Sequence, residues 1–123
     1  MCRTLIVENS VTFRKTFSEA LGKRFPNMVI EEAEDGAEAM RKIRSFQPQL
    51  VFMDIRLPGE NGLRLTGKIK SRMPDVVVII LTDYDLEEYR SAAFLNGADN
   101  FIAKGALHLS EIEEIVQRLP NAP

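Results

Sequence analysis

Four short apolar runs each end on polar side chains of complementary chemistry. Glu8-Asn9 follows Leu5-Ile6-Val7, Asp54 follows Leu50-Val51-Phe52-Met53, Thr82 closes the run from Val76 to Leu81, and Lys104 follows Phe101-Ile102-Ala103. Carboxylates suit a hard divalent ion such as Mg²⁺, a hydroxyl and an ammonium can each hold a phosphoryl oxygen, and the Asp54 carboxylate can act as a nucleophile. Phosphoryl transfer to Asp54 is the chemistry such a set would perform. Any one of these residues alone would be weak evidence, because polar residues commonly end strands, and Thr82 by itself reads as structural. In four equivalent places they define a site. The loop Leu57-Pro58-Gly59-Glu60-Asn61-Gly62 would let the Arg56 carbonyl turn inward as a further oxygen ligand, although the same residues also read as ordinary turn punctuation.

For these residues to meet, the runs must be neighbouring strands that end together. Between them lie stretches with helical spacing. Ser10 is a good N-cap for a helix carrying Phe13, Phe17 and Leu21, closed by Pro26. Ala37, Met40, Ile43 and Arg44 trace a second helix before Pro48, and Leu63, Leu65, Ile69 and Met73 a third before Pro74. A fourth is expected from about Asp85 to Asn96, stopping at Gly97. A fifth is expected to open on the capping-box spacing of Ser110 to Glu113 and to carry Ile112, Ile115, Val116 and Leu119. The second run, Met28-Val29-Ile30, passes into Glu31-Glu32-Ala33-Glu34 as an edge strand would. Short strands alternating with helices predict an α/β fold with a parallel sheet and helices on both faces, which binds ligands beyond the carboxyl ends of its strands.

The bulk numbers bound the partners. A chain of 123 residues, 45% hydrophobic and 28% charged, suits one ordinary domain. Sixteen Lys+Arg against eighteen Asp+Glu give a net charge of -2, which offers no electrostatic case for gripping nucleic acid or a membrane, so proteins and small ions are the expected partners. Cys2 and His108 are the only residues of their types, which excludes an internal disulfide and a Cys/His zinc site and fits a reducing cytosol. The N-terminus meets a charge at Glu8, too early for a signal peptide or membrane span, and reads as untargeted. Residues 1–119 are expected to form the domain, and 120–123 to begin a linker or C-terminal tail.

The segment Leu50 to Gly62, the run Val78-Ile79-Ile80-Leu81-Thr82 and the stretch Asn96 to Lys104 resemble the phosphoacceptor segment and two later signatures of the receiver domains of two-component response regulators. The resemblance covers essentially the whole chain. It implies a flavodoxin-like, CheY-like, doubly wound sheet of five strands in the order 2-1-3-4-5. It further implies Mg²⁺-dependent transfer of phosphate to Asp54 from a histidine kinase or phosphotransfer protein. Mg²⁺ would be held by Glu8, Asn9, Asp54 and the Arg56 carbonyl, with Thr82 and Lys104 on the phosphoryl group. Thr82 and Phe101 would form a switch, although Phe101, lacking a hydroxyl, also reads as plain core. The switch would act on a partner, an output domain or a second copy in a homodimer. The face for this is the fourth helix, fifth strand and fifth helix, which carries Glu87, Glu88, Arg90, Glu111 and Arg118. Gly105 after Lys104, where many relatives have proline, matches receivers that carry helix-turn-helix output domains.

Two positions depart from the family pattern. The first strand usually ends in two acids, and here the pair is Glu8-Asn9, which removes one charge and predicts weakened Mg²⁺ binding. Asp83 stands after Thr82 where a small residue is usual. Pointing outward it is a solvated acid; pointing inward it repels a phosphodonor or partly replaces the charge missing at position 9. An alternative function is a pseudo-receiver, an interaction module of the same fold with little or no phosphorylation. A haloacid-dehalogenase-like phosphatase would want an aspartate at position 56, which is Arg, and a flavin site would want a phosphate loop where Glu8 stands. The chain is therefore expected to be a phosphoacceptor that catalyses its own modification, rather than an enzyme.

Overall fold

The computed structural model describes residues 2–119, so the expected linker or tail at 120–123 lies outside the described residues. Five strands, β1 (Arg3–Val7), β2 (Val29–Ala33), β3 (Leu50–Met53), β4 (Val77–Thr82) and β5 (Asn100–Ala103), form one parallel sheet in the order β2-β1-β3-β4-β5. This is the expected 2-1-3-4-5 order. Five helices follow the strands in turn: α1 (Val11–Arg24), α2 (Gly36–Phe46), α3 (Gly62–Arg72), α4 (Glu87–Leu95) and α5 (Leu109–Gln117).

Successive strand residues face opposite sides of the sheet, which divides the core in two. Leu5, Val7, Val51, Met53, Val78 and Ile80 pack with Ile43 of α2, Leu65 and Ile69 of α3 and Ala93 of α4. Ile6, Leu50, Phe52, Ile79 and Leu81 pack with Phe17 and Leu21 of α1 and Ile112 of α5. The strands are apolar in consecutive positions because both faces are covered.

Local signals set most helix starts. Ser10 Oγ accepts the Phe13 amide at 3.3 Å, as expected. Asp35 and Asn61 cap α2 and α3 in the same way, accepting the amides of Glu38 at 2.8 Å and Leu63 at 2.7 Å. Gly97 takes φ +95 just after α4, the left-handed turn that ends a helix cheaply only at glycine.

Three readings are corrected. In α2 the buried residues are Gly36, Ala39 and Ile43, with Met40 partly buried against the core, so Met40 and Ile43 of the expected stripe face inward while Ala37 and Arg44 are exposed. α4 begins at Glu87 rather than Asp85. Ser110 lies inside α5, which starts at Leu109 with His108 as its N-cap, so the capping-box spacing does not set that start. Leu107 and Leu109 pack against the α1/α5 side of the core, and this burial fixes the register of the helix over the local signal.

Candidate functional site

Strand register brings the polar residues together. Val7 lies opposite Met53, so Glu8 and Asp54 leave the sheet side by side at the point where strand order reverses. The Asp54 amide donates to the Val7 carbonyl at 3.0 Å, and the Glu8 amide to the Ala33 carbonyl at 2.9 Å. Thr82 lies opposite Ala103, which puts Lys104 one residue beyond. Behind Asp54 the chain turns through a two-residue hairpin, Arg56–Leu57 against Glu60–Asn61, and returns at Gly62. A Cβ at Gly62 would come within 1.8 Å of the Asp54 carbonyl oxygen, so only glycine lets the start of α3 press against the backbone of Asp54.

Lys104 is the hub. Its side chain is 9% exposed, and its Nζ lies 2.6 Å from Glu8 Oε1, 3.7 Å from Asp54 Oδ2 and 3.8 Å from Asp83 Oδ2. The Glu8 side chain is 4% exposed, and its second oxygen accepts the Ser10 amide at 2.9 Å. Asp54 Oδ1 accepts the Ile55 amide at 2.8 Å. Burial pushes the Asp54 carboxyl up to about 7, with the charge of Glu8 and a hydrogen bond to it acting in the same direction, against the opposing pull of Lys104. Burial acts to lower the Lys104 ammonium, but its hydrogen bond to Glu8 and the charges of Asp54, Glu8 and Asp83 outweigh that and raise it above the ordinary lysine value.

The remaining expected residues fall into place around this centre. Thr82 is fully buried, and its Oγ1 accepts the Tyr84 amide at 3.1 Å. Asp83 is 71% exposed, so its carboxylate is solvated yet still reaches toward Lys104. Phe101 is in the core, with the Arg90 guanidinium 4.8 Å from its ring centroid and Asp85 3.6 Å from Arg90. Asn9 is exposed and turned outward enough for its Nδ2 to donate to the Glu34 carbonyl at 3.5 Å. Arg56 is exposed, its guanidinium 4.1 Å from the centroid of Tyr84 on the neighbouring loop.

The donor set fits a hard divalent cation in kind but is poor in charge. Glu8 and Asp54 supply carboxylate oxygens beside the Lys104 ammonium, and Asn9 and the Arg56 carbonyl add neutral oxygens. Among the described residues there is no group of three or more His, Cys, Asp or Glu placed to hold a metal ion.

Sequence reasoning missed how Lys104 is held. The 2.6 Å pairing with Glu8 and the Phe13 ring 4.5 Å from its Nζ join residues far apart in the chain, and no local pattern signals either.

The response regulator receiver domain model matches residues 4–117. Among curated proteins, the oxygen regulatory protein NreC of Staphylococcus carnosus is 38% identical over 105 residues, covering 85% of this chain and 48% of that protein. The chain thus spans about half the length of the curated relatives it matches. Response regulator TrrA of Thermotoga maritima, solved with Mg²⁺ and beryllofluoride, superposes with TM-score 0.82 at 33% identity over 98% of this chain and 100% of that one. The receiver domain of a DNA-binding response regulator from Colwellia psychrerythraea shares the fold, with TM-score 0.90 at 22% identity over 96% of this chain and 100% of that one. Among the described residues no helix is long and apolar enough to cross a membrane.

Proposed function

The chain belongs to the response regulator receiver domain family, and from that premise we propose that Asp54 is its phosphoacceptor. Response regulators are signalling proteins of two-component systems, paired with histidine kinases and output domains, and are not enzymes in the ordinary sense. The observation that carries the assignment is the convergence of Glu8, Asp54 and Lys104 beyond the ends of β1, β3 and β5.

In the proposed reaction an Asp54 carboxylate oxygen attacks the phosphorus of a phosphohistidine. The P–O bond forms as the P–N bond breaks, the imidazole takes a proton from solvent, and Asp54 becomes an acyl phosphate. The Lys104 ammonium, 3.7 Å from Asp54, is placed to neutralise the arriving phosphoryl oxygens. Thr82, an acceptor toward Tyr84, still has its own proton to donate to them. Glu8, Asn9, Asp54 and the Arg56 carbonyl would hold Mg²⁺, which supplies positive charge to the phosphoryl oxygens when bound. Movement of Thr82 and Phe101 toward the phosphate would reshape the α4–β5–α5 face, where a partner, an output domain or a second receiver would read the change. Arg90 over Phe101 couples the aromatic ring to that face.

The test is to add Mg²⁺ and beryllofluoride, or acetyl phosphate, and follow amide NMR resonances. Shifts around Asp54 and across α4, β5 and α5 are expected, and none in Asp54→Asn. A wild-type spectrum that stays still would favour the interaction-module alternative. Asp83→Ala in the same assay is expected to speed phosphorylation by acetyl phosphate, because a carboxylate beside Lys104 competes with the donor for the ammonium. An unchanged rate would reduce Asp83 to a solvated loop acid.

Asn9 is proposed to weaken Mg²⁺ binding by removing one unit of charge from the donor set. Asn9→Asp is expected to tighten Mg²⁺ about tenfold in isothermal titration, a fraction of the roughly 4 kcal/mol that one charge pair is worth at 4 Å and an effective dielectric near 20. Equal affinities would show that the outward-turned side chain at position 9 does not reach the ion.

A further inference from the structure

Phe13 does more than fill the core. It lies in the first turn of α1, half-buried, stacked on Phe17 at 5.7 Å between centroids, and Phe17 meets Phe52 of β3 edge-on at 4.9 Å. The Lys104 ammonium lies over the Phe13 ring, 4.5 Å from its centroid. That is within the roughly 6 Å over which the negative face of an aromatic ring attracts a cation, an attraction that grows when water is excluded. With its side chain 9% exposed, Lys104 is largely desolvated.

We propose that Phe13 is a positioning residue for Lys104, its ring face holding the ammonium beside Asp54 through every stage of phosphoryl transfer. The inference rests on the reading of Asp54 as phosphoacceptor. The other three partners of Lys104 are carboxylates, those of Glu8, Asp54 and Asp83, and two of them change state during that chemistry. Asp54 becomes an acyl phosphate, and Glu8 belongs to the donor set for a divalent cation. An aromatic face has no charge to give up and no lone pair for a metal to recruit, so its hold on the ammonium persists when those partners are engaged elsewhere. The ladder Phe13–Phe17–Phe52 also ties the ammonium to β3, the strand that delivers Asp54. Cation and nucleophile are thereby referenced to one rigid element. An apolar contact would fill the same space, but it would supply no attraction for the charge.

The experiment compares the whole chain with Phe13→Leu and Phe13→Tyr by two readouts: the Hε resonances of Lys104 by ¹³C-edited NMR without ligand, and beryllofluoride affinity with Mg²⁺. In the wild type the ring current is expected to move Lys104 Hε upfield, an observation that needs no variant to fold. Phe13→Tyr, which keeps the ring, is expected to retain the shift and bind beryllofluoride within about twofold of wild type. Phe13→Leu is expected to lose the shift and bind about fivefold more weakly. Absence of the shift in the wild type overturns the proposal, as does a Phe13→Leu affinity equal to wild type. Equal weakening in Tyr and Leu variants would mark a packing effect and overturn it too. A wild type deaf to beryllofluoride fails the Asp54 reading itself, and is told apart by a ring-current shift that is present with no response to ligand.

Discussion

Replacing Lys104 by methionine is expected to cost the folded protein about 3 kcal/mol at pH 8, and clearly less at pH 5. Methionine keeps most of the apolar stem, so lost packing contributes little. The cost comes from Glu8, whose side chain is 4% exposed and loses its 2.6 Å partner, and from Asp54 and Asp83, which lose the charge that offsets their crowding. A buried carboxylate without a counterion binds a proton more tightly in the folded than in the unfolded chain. The variant is therefore penalised most where Asp54, already raised to about 7 by burial, is ionised without its cation, and that part of the stability returns as Asp54 protonates on acidification. Adding Glu8→Gln should recover a large part of the loss at pH 8, because an amide needs no counterion. Urea unfolding at the two pH values measures all of this. A loss under 1 kcal/mol at pH 8, or the same loss at both pH values, would show that the pairing is not what holds the site together.

Asp54→Asn is expected to do the reverse and make the metal-free protein more stable at neutral and alkaline pH. The Asp54 carboxyl sits at about 7 in the folded protein against 3.8 for the unperturbed group, raised first by burial and then by Glu8. Its folded value lies above its unfolded value. The stability associated with the bound proton is therefore fully present below about 3.8 and is lost as pH rises through about 7. A shift of that size would convert to roughly 4 kcal/mol in a site sealed from water, but solvent at the mouth of this one screens it to about 1–2 kcal/mol. The amide cannot ionise and escapes the penalty. Thermal unfolding should place Asp54→Asn several degrees above wild type at pH 8, roughly 4–8 °C for a domain of this size, with the gap closing steadily toward pH 5. A gap that ignores pH, or a variant less stable at pH 8, would refute the electrostatic account. Together the two predictions describe a site held under charge strain: one ammonium offsets three carboxylates, and the surplus negative charge is what a divalent cation and a phosphoryl group would meet.

The proposed role of Phe13 adds an uncharged member to that arrangement. It also marks the limit of what spacing can reveal, since a helical stripe of Phe13, Phe17 and Leu21 reads as core and nothing in it distinguishes the ring that carries a cation.

Periodicity and punctuation determined the order of strands and helices, the two-sided burial of the sheet and the residues at its carboxyl edge. Alternation of apolar runs with amphipathic stretches leaves a chain of this length few other ways to bury both faces of a sheet. Legibility failed where a local signal competed with packing: at the start of α5, where burial of Leu107 and Leu109 overrode the spacing of Ser110 and Glu113, and in α2, where the buried stripe runs through Ala39 rather than Ala37. Only the tertiary structure decided how the site is wired. Strand register set Glu8 beside Asp54 and Lys104 beyond Thr82, and desolvation then fixed which charges pair, which carboxyl is raised and which acid, Asp83, stays in water. Those outcomes depend on distances across the sheet and on exclusion of water, neither of which is encoded in neighbouring residues along the chain.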